Sequence, residues 1–264
     1  MRFVTLVAMC VMWPTAGFAQ DQPPPSTASP APVTPADADR PISWKRVVPN
    51  ILSDQRRIWT FPATLVEGHN WIPTAAVLGT TAGLIALDPI EGGYFRRTTA
   101  FHGFNSAFPS TGTLTGIIVA PAAFYGVGLI RKDPKMQKTA LLSAEALADA
   151  EIVATVIKEA TNRIRPITVP KNGNFSDSFF EGPPRLNSPS FPSGHAITAF
   201  AVATVVARRY GNHKWVPYAA YGTAAVIAFS RLTLSAHFTS DVFMGAALGY
   251  TISRFVVLPT PPGG

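Results

Sequence analysis

The chain has 264 residues, of which 47% are hydrophobic and 14% are charged, and its formal net charge is +7. A charged fraction well below the usual quarter or so indicates a chain that is either very well buried or close to a membrane. The positive charge suits anionic lipids or phosphorylated substrates, and since no basic run is interleaved with aromatic residues, we expect no nucleic-acid partner.

The first 42 residues predict a targeting segment and a linker. Arg2, the apolar stretch 3–13 and the small residues before Ala19 are typical of a signal peptide spanning residues 1–19, with an uncleaved membrane anchor as the alternative. The proline-rich stretch 20–42 predicts a disordered linker. Cys10 is the only cysteine, so a processed chain would have neither a disulfide nor cysteine catalysis.

The remaining residues, 43–264, predict one helical domain. Six apolar blocks rich in Ala, Leu and Val lack strict alternation, which favours helix over strand. These blocks are 71–87, 114–130, 138–162, 196–210, 216–229 and 242–257. We therefore predict an all-α single bundle of about six main helices, with the active site at one end.

These blocks do not decide whether the helices are inserted in a membrane. A span needs about 20 apolar residues, and only 71–87 and 114–130 approach that length. We expect an exported protein of the periplasm or cell envelope, soluble or peripheral, with an integral membrane enzyme as the alternative. Exposed Trp44, Trp59 and Trp71 would then form an interfacial surface, although such residues are more often part of a core.

A first candidate functional block is Pro192-Ser193-Gly194-His195, which leads from a loop into an apolar segment. Ser193 at a helix start can accept from an unpaired amide, and Gly194 lets the backbone approach a ligand. Anions are favoured at this end of a helix, where His195 would be a proton donor. Alone, the pattern is more often a simple cap with a surface histidine.

Two further blocks flank the first. Upstream, Lys158 and Arg165 are seven residues apart, so they would share a helix face until Pro166 ends the helix, while Arg163 would face elsewhere on the surface. The two cations suit phosphate oxygens, although a solvated basic helix end shows the same pattern.

Downstream, Ser230-Arg231 is followed by His237 and Asp241. His237 and Asp241 are one helical turn apart, which would let Asp241 accept from one ring nitrogen while the other faces phosphorus. Such a pair is also common as surface charge. Arg231 would complete a cationic cage, and Ser230 would only pack.

Together the three blocks resemble the signature of the type 2 phosphatidic acid phosphatase and vanadium haloperoxidase superfamily: K-x6-R-P, P-S-G-H and S-R-x5-H-x3-D. The resemblance implies that His237 attacks the phosphoryl group, Asp241 orients it and His195 protonates the leaving oxygen. It further implies that the equatorial oxygens are held by a set of cations, a hydroxyl and an amide: Lys158, Arg165, Arg231, Ser193 and Gly194.

The resemblance predicts a phosphatase acting on phosphomonoesters or lipid phosphates, without a metal, whose phosphate site would bind vanadate. A vanadium-dependent haloperoxidase, an integral membrane polyprenyl-diphosphate or lipid phosphatase and a non-enzymatic anion-binding protein are the alternatives. Pro189-Ser190-Phe191 and Ala196 depart from the pattern around this block in soluble acid phosphatases, which leaves the substrate open. The oligomeric state is equally open.

Overall fold

The structure is a computed structural model that describes residues 40–181 and 189–258. The chain divides into two units, residues 1–33 and 34–264, and all described residues lie in the second. The predicted signal peptide and all but the end of the predicted linker lie outside the described residues.

The described part of the chain is helical and contains no strand. It has eight α-helices, with a 3-10 turn at Pro166–Thr168 and a π-helical end at Ile252–Val257. In chain order the helices are α1 Trp44–Val66, α2 Trp71–Arg97, α3 His102–Ser106, α4 Ser110–Ile130, α5 Pro134–Thr161, α6 Gly194–Arg209, α7 Trp215–Thr233 and α8 Thr239–Thr251.

The all-α prediction is confirmed, and each of the six apolar blocks lies on a helix. Helices α1 and α3 were not among the six. In α1 the apolar residues alternate with basic ones, and α3 is only five residues long, so neither forms an apolar block.

The core is centred on α6, which packs against α4, α5, α7 and α8. Its neighbour α8 comes close because it presents glycine: a Cβ at Gly249 would overlap the carbonyl of Ile197 and the amide of Ala201. A Cβ at Gly245 would be 2.7 Å from the carbonyl oxygen of Ser193. This close approach brings the start of α8 against the start of α6, where the site residues lie.

Helix α1 is attached to α5 by buried polar side chains. Arg40, just before α1, forms ion pairs with Asp54 on α1 and Glu145 on α5. Gln55 donates to the Asp149 carboxylate over 2.8 Å. Because buried carboxylates need such partners, these contacts fix α1 on α5.

The expectation of a soluble or peripheral bundle is wrong. Helices α2 and α4 are long and apolar enough to cross a membrane, and only 11% and 17% of their apolar windows are buried. The core helix of a soluble protein would bury most of such a window. Exposed side chains such as Ile72, Leu78 and Ile130 instead match a lipid environment, where exposing apolar surface carries no free-energy cost.

Candidate active site

The first basic block lies where α5 ends. The helix stops at Thr161, and Asn162 follows with a left-handed φ of 39°, so the chain turns before Arg165. Arg165 itself is extended, with φ −87° and ψ 147°. The prediction that Lys158 and Arg165 share one helix face is therefore wrong, because the helix ends four residues before Arg165.

The glycine block begins α6 as the sequence predicts. Ser193 is the N-cap, and its hydroxyl accepts from the amide of Ala196 over 3.4 Å. Gly194 is the first helical residue, and a Cβ there would lie 3.1 Å from Nζ of Lys158. The glycine therefore lets the Lys158 ammonium approach the positive end of α6, an arrangement suited to an anion.

His195 lies one residue into α6 and bonds to the start of α4. Its Nε2 is 2.9 Å from the carbonyl oxygen of Ser110 and, because that oxygen can only accept, Nε2 carries a hydrogen. Burial, together with the charges of Arg231 and Arg165, lowers the pKa of His195 to about 4. The histidine is thus neutral at pH 7 when no anion balances these cations.

His237 is buried in the loop before α8, and its tautomer is set by a backbone group. Its Nδ1 lies 2.7 Å from the carbonyl oxygen of Ser190 and must donate to it, so Nε2 keeps the lone pair. Burial, together with the charge of Arg165, lowers the pKa of His237 to about 4. A neutral imidazole with a defined lone pair is the state that a nucleophile requires.

Asp241 does not form the expected hydrogen bond with His237, because its Oδ2 lies 3.6 Å from Nδ1. The carboxylate instead caps α8, which begins at Thr239. Oδ2 accepts from the amide of Phe238 over 2.8 Å and from the hydroxyl of Ser190. Asp241 therefore acts on His237 through its charge and through Ser190, whose carbonyl holds the ring.

Arg231 is fully buried at the end of α7. Its Nη2 donates to the carbonyl of Phe108 over 2.8 Å and its Nη1 to the hydroxyl of Ser110 over 3.2 Å. Ser230 has more than the packing role predicted for it, because its hydroxyl accepts from Nε of Arg231 over 3.0 Å. These bonds hold the guanidinium beside the start of α4 and α6.

The three blocks thus meet where α4, α6 and α8 begin and where α5 and α7 end. The charges of Arg231, Arg165 and Lys158 all act on His195, and those of Arg165 and Lys158 act on His237. Three cations around two neutral histidines form a site for a multiply charged anion.

The prediction that Arg163 lies on the surface is wrong, because the side chain is buried, with 1% of its area exposed. The turn at Asn162 directs it inward, and its Nη1 donates to Asp241 over 2.5 Å. The motifs did not identify Arg163 and its partner Asp88, because Arg163 occupies an unspecified position of the first block and Asp88 lies outside all three blocks.

Comparison with known proteins confirms the resemblance drawn from the motifs. Residues 137–261 match the family model of the PAP2 superfamily. The matched range contains α6 to α8, all of α5 but its first three residues, and every residue of the three motif blocks.

Curated relatives match shorter regions. A lipid A 1-phosphatase of Porphyromonas gingivalis is 42% identical over 66 residues, 25% of this chain and 15% of the relative. A lipid A 1-phosphatase of Rhizobium johnstonii is 30% identical over 107 residues, 40% of this chain and 42% of the relative. The chain thus spans less than half the length of these relatives.

A solved structure, described as the first transmembrane PAP2 type phosphatidylglycerolphosphate phosphatase from Bacillus subtilis, is similar to this chain. It has 21% sequence identity and a TM-score of 0.41, and the match covers 80% of this chain and 92% of the other.

Proposed function

We propose that this protein is a phosphoric ester hydrolase that releases phosphate from a lipid phosphate through a phosphohistidine on His237. The observation that carries the proposal is the state of His237 beside the cationic cage. Its Nδ1–H is committed to the carbonyl of Ser190, so the Nε2 lone pair is available to phosphorus. The match of residues 137–261 to the PAP2 superfamily supports the same chemistry.

In the first step Nε2 of His237 bonds to phosphorus while the bond from phosphorus to the ester oxygen breaks. The leaving oxygen takes a proton from His195. The charge on the three equatorial oxygens is balanced by three cations, a hydroxyl and an amide: Lys158, Arg165, Arg231, the hydroxyl of Ser193 and the amide of Gly194. In the second step water bonds to phosphorus, the bond to His237 breaks, and a proton returns to His195.

The role of His195 depends on the substrate's own charge. In the unliganded site its pKa is about 4, and Nε2–H is bonded to Ser110, so it is neutral. A bound phosphate dianion offsets the charges of Arg231 and Arg165, which raises the pKa of His195. Substrate binding would thereby supply the protonated form that the leaving oxygen requires.

A lipid substrate suits the surroundings of the cage. Half-buried phenylalanines of α2, of α7 and of the segment that follows α2 lie at this end of the bundle, with Phe95, Phe101 and Phe229 in mutual ring contact. Phe104 contacts the rings of Phe229 and Phe108, and the carbonyl of Phe108 accepts from Arg231, which joins the cluster to the cage. The curated relatives are lipid A 1-phosphatases, which also act on a lipid phosphate.

The proposal includes contact with a membrane surface and no metal. Trp44, Trp59 and Trp71 are 64%, 47% and 63% exposed, which suits the membrane–water interface. Within the described residues, no group of three or more His, Cys, Asp or Glu is placed to hold a metal ion. Vanadate, a phosphate analogue, is expected to occupy the cage and inhibit.

The test is phosphate release by the full chain in detergent micelles, from a lipid monophosphate and from a soluble aryl phosphate, with and without vanadate. We expect vanadate-sensitive release from the lipid that His237→Ala abolishes, and release unaffected by Arg57→Lys, an exposed residue of α1. Substantial turnover by folded His237→Ala would overturn the mechanism. Halide oxidation with vanadate and peroxide, without phosphate release, would favour the haloperoxidase alternative.

A further inference from the structure

A buried ion-pair network lies behind the proposed nucleophile and joins the motif residue Asp241 to two residues that the motifs do not specify. At its centre is Arg163, whose Nη2 donates to Asp88 on α2 and whose Nη1 donates to Asp241 on α8, over 2.7 and 2.5 Å. All three residues are almost completely buried, with exposures of 1%, 0% and 0%. One arginine thus joins a lipid-facing helix to the carboxylate beside His237.

The guanidinium of Arg163 is fixed in every direction. Its Nε donates to the hydroxyl of Ser178 over 3.0 Å, and its Nη1 also donates to the hydroxyl of Ser240 over 2.7 Å. Phe179 and Phe238 lie on it, with ring centroids 4.3 and 4.1 Å from its central carbon. A planar, five-donor group is needed to satisfy this arrangement, which a lysine ammonium cannot reproduce.

Helix α2 holds the start of α8 through two carboxylates. Asp88 accepts from the amide of Ser240 over 3.2 Å and also from its hydroxyl. Glu91, one turn further along α2, accepts from the amide of Thr239 over 2.7 Å. The first amides of α8 are therefore capped from α2, and the position of Asp241 in the first turn is set by these contacts.

This network controls how Asp241 faces His237. Oδ1 of Asp241 is held by Arg163, while Oδ2 accepts from Ser190 and from the amide of Phe238. The same Ser190 accepts the Nδ1–H of His237 through its carbonyl. If Arg163 moved, the carboxylate would be free to rotate, and the histidine would lose the fixed charge at 3.6 Å.

The location of Asp88 in an apolar helix that is long enough to cross a membrane supports a role beyond packing. Ionisable residues inside such helices are costly, face the protein interior and pair with one another, and they mark functional sites. Asp88 meets each of these conditions through its pairing with Arg163.

We propose that Arg163 and Asp88 are positioning residues for the phosphoryl transfer, and that their ion pair couples the lipid-facing helix α2 to the orientation of Asp241 and His237. The proposal rests on the proposed function of His237. Neither residue touches the phosphate; Arg163 acts through Asp241, and Asp88 acts through Arg163 and the start of α8.

The first test separates positioning from binding. Arg163→Lys retains the charge but loses the planar fork, so we expect kcat to fall by about tenfold while KM and the vanadate inhibition constant change less than about threefold. The cage cations are untouched in this variant. A purely structural role would instead reduce vanadate affinity and thermal stability along with kcat.

The second test uses the sign of a pH shift. His237 must be neutral to attack, so the acid limb of kcat/KM follows its pKa. Arg163→Met leaves the charge of Asp241 less balanced, which raises the pKa of His237 and moves the limb to higher pH. Asp88→Asn leaves the charge of Arg163 less balanced and moves the limb to lower pH. The other charges that face His237 are those of Lys158 and Arg165. These charges and the ionisation of the substrate are the same in every variant, so they do not cause a difference between the variants.

We expect the acid limb of kcat/KM to move in opposite directions in Arg163→Met and Asp88→Asn, and to stay in place in Arg163→Lys. The double variant Asp88→Asn/Arg163→Met should be no slower than Arg163→Met alone, because both changes act through one bridge. Should Arg163→Met fail to fold, Arg163→Lys and Asp88→Asn carry the test. Wild-type kcat in Arg163→Lys together with an unmoved acid limb in Asp88→Asn would overturn this inference alone, whereas turnover by His237→Ala would overturn the proposed function.

Discussion

Replacing Asp241 by Asn tests whether this residue acts through its charge or through a hydrogen bond to His237. The structure gives it no direct bond to the ring, since Oδ2 lies 3.6 Å from Nδ1. Asparagine has nearly the same shape and its carbonyl oxygen can still accept from Arg163, so the bonds lost are those that Oδ2 accepts from the amide of Phe238 and the hydroxyl of Ser190. We therefore expect the site geometry to be largely retained and the loss to be electrostatic.

The size of the loss follows from the distance. At 3.6 Å and an effective dielectric constant of about 20, two unit charges interact by about 5 kcal/mol. In the transition state the imidazole gains only part of a positive charge; half a charge is worth about 2 kcal/mol, or about 50-fold in kcat. Because Arg163 already offsets part of the Asp241 charge, we expect a loss near 50-fold and well below 2,000-fold, the approximate limit for a full charge.

The assay is steady-state phosphate release from the lipid monophosphate, with vanadate inhibition measured alongside. Vanadate should bind at least as tightly to Asp241→Asn, because a negative charge near the anion has been removed. Thermal unfolding is the control, since the lost cap on α8 costs about 1 kcal/mol. A kcat within about threefold of wild type in the folded variant would refute the electrostatic role.

Three further outcomes follow from the structure. The pKa of His195, about 4 in the unliganded site, should rise when vanadate binds, as measured by NMR titration of the ring; an unchanged pKa would contradict its coupling to Arg231 and Arg165. Gly249→Ala should destabilise the fold by about 1–3 kcal/mol, because its Cβ meets the backbone of α6, and an unchanged melting temperature would argue against this packing. The protein should stay in membranes washed with alkaline carbonate, since α2 and α4 expose apolar surface, and release by the wash would contradict their insertion.

The helices were predictable because their composition is decisive. Long runs of Ala, Leu and Val without alternation allow one interpretation, and all six such blocks are helical. Whether they meet lipid or a protein core was not predictable, because both environments select the same residues. Only the exposure of α2 and α4 separates the two, and exposure depends on the tertiary structure.

The site residues were recognised from motif spacing, but their local geometry was not. The spacing of Lys158 and Arg165 suggested one helix face, yet Asn162 adopts a left-handed conformation and ends the helix first. The same turn buries Arg163, which spacing had assigned to the surface. A four-residue spacing likewise suggested a direct bond between His237 and Asp241, whereas the helix begins only at Thr239.

Contacts between distant segments lay beyond the sequence altogether. Asp88 is 75 residues from Arg163, and no motif connects the two. The available indication was a carboxylate directly after the apolar block 71–87, since such a residue needs a buried partner.

The central claim is most directly tested by trapping the phosphoenzyme. The full chain is mixed with a lipid monophosphate labelled with ³²P, quenched with alkali within milliseconds to seconds, and analysed for protein-bound label. The account predicts a label that is stable to alkali, labile to acid and absent from His237→Gln. A labelled residue other than His237, or turnover by His237→Gln at a wild-type rate, would contradict it.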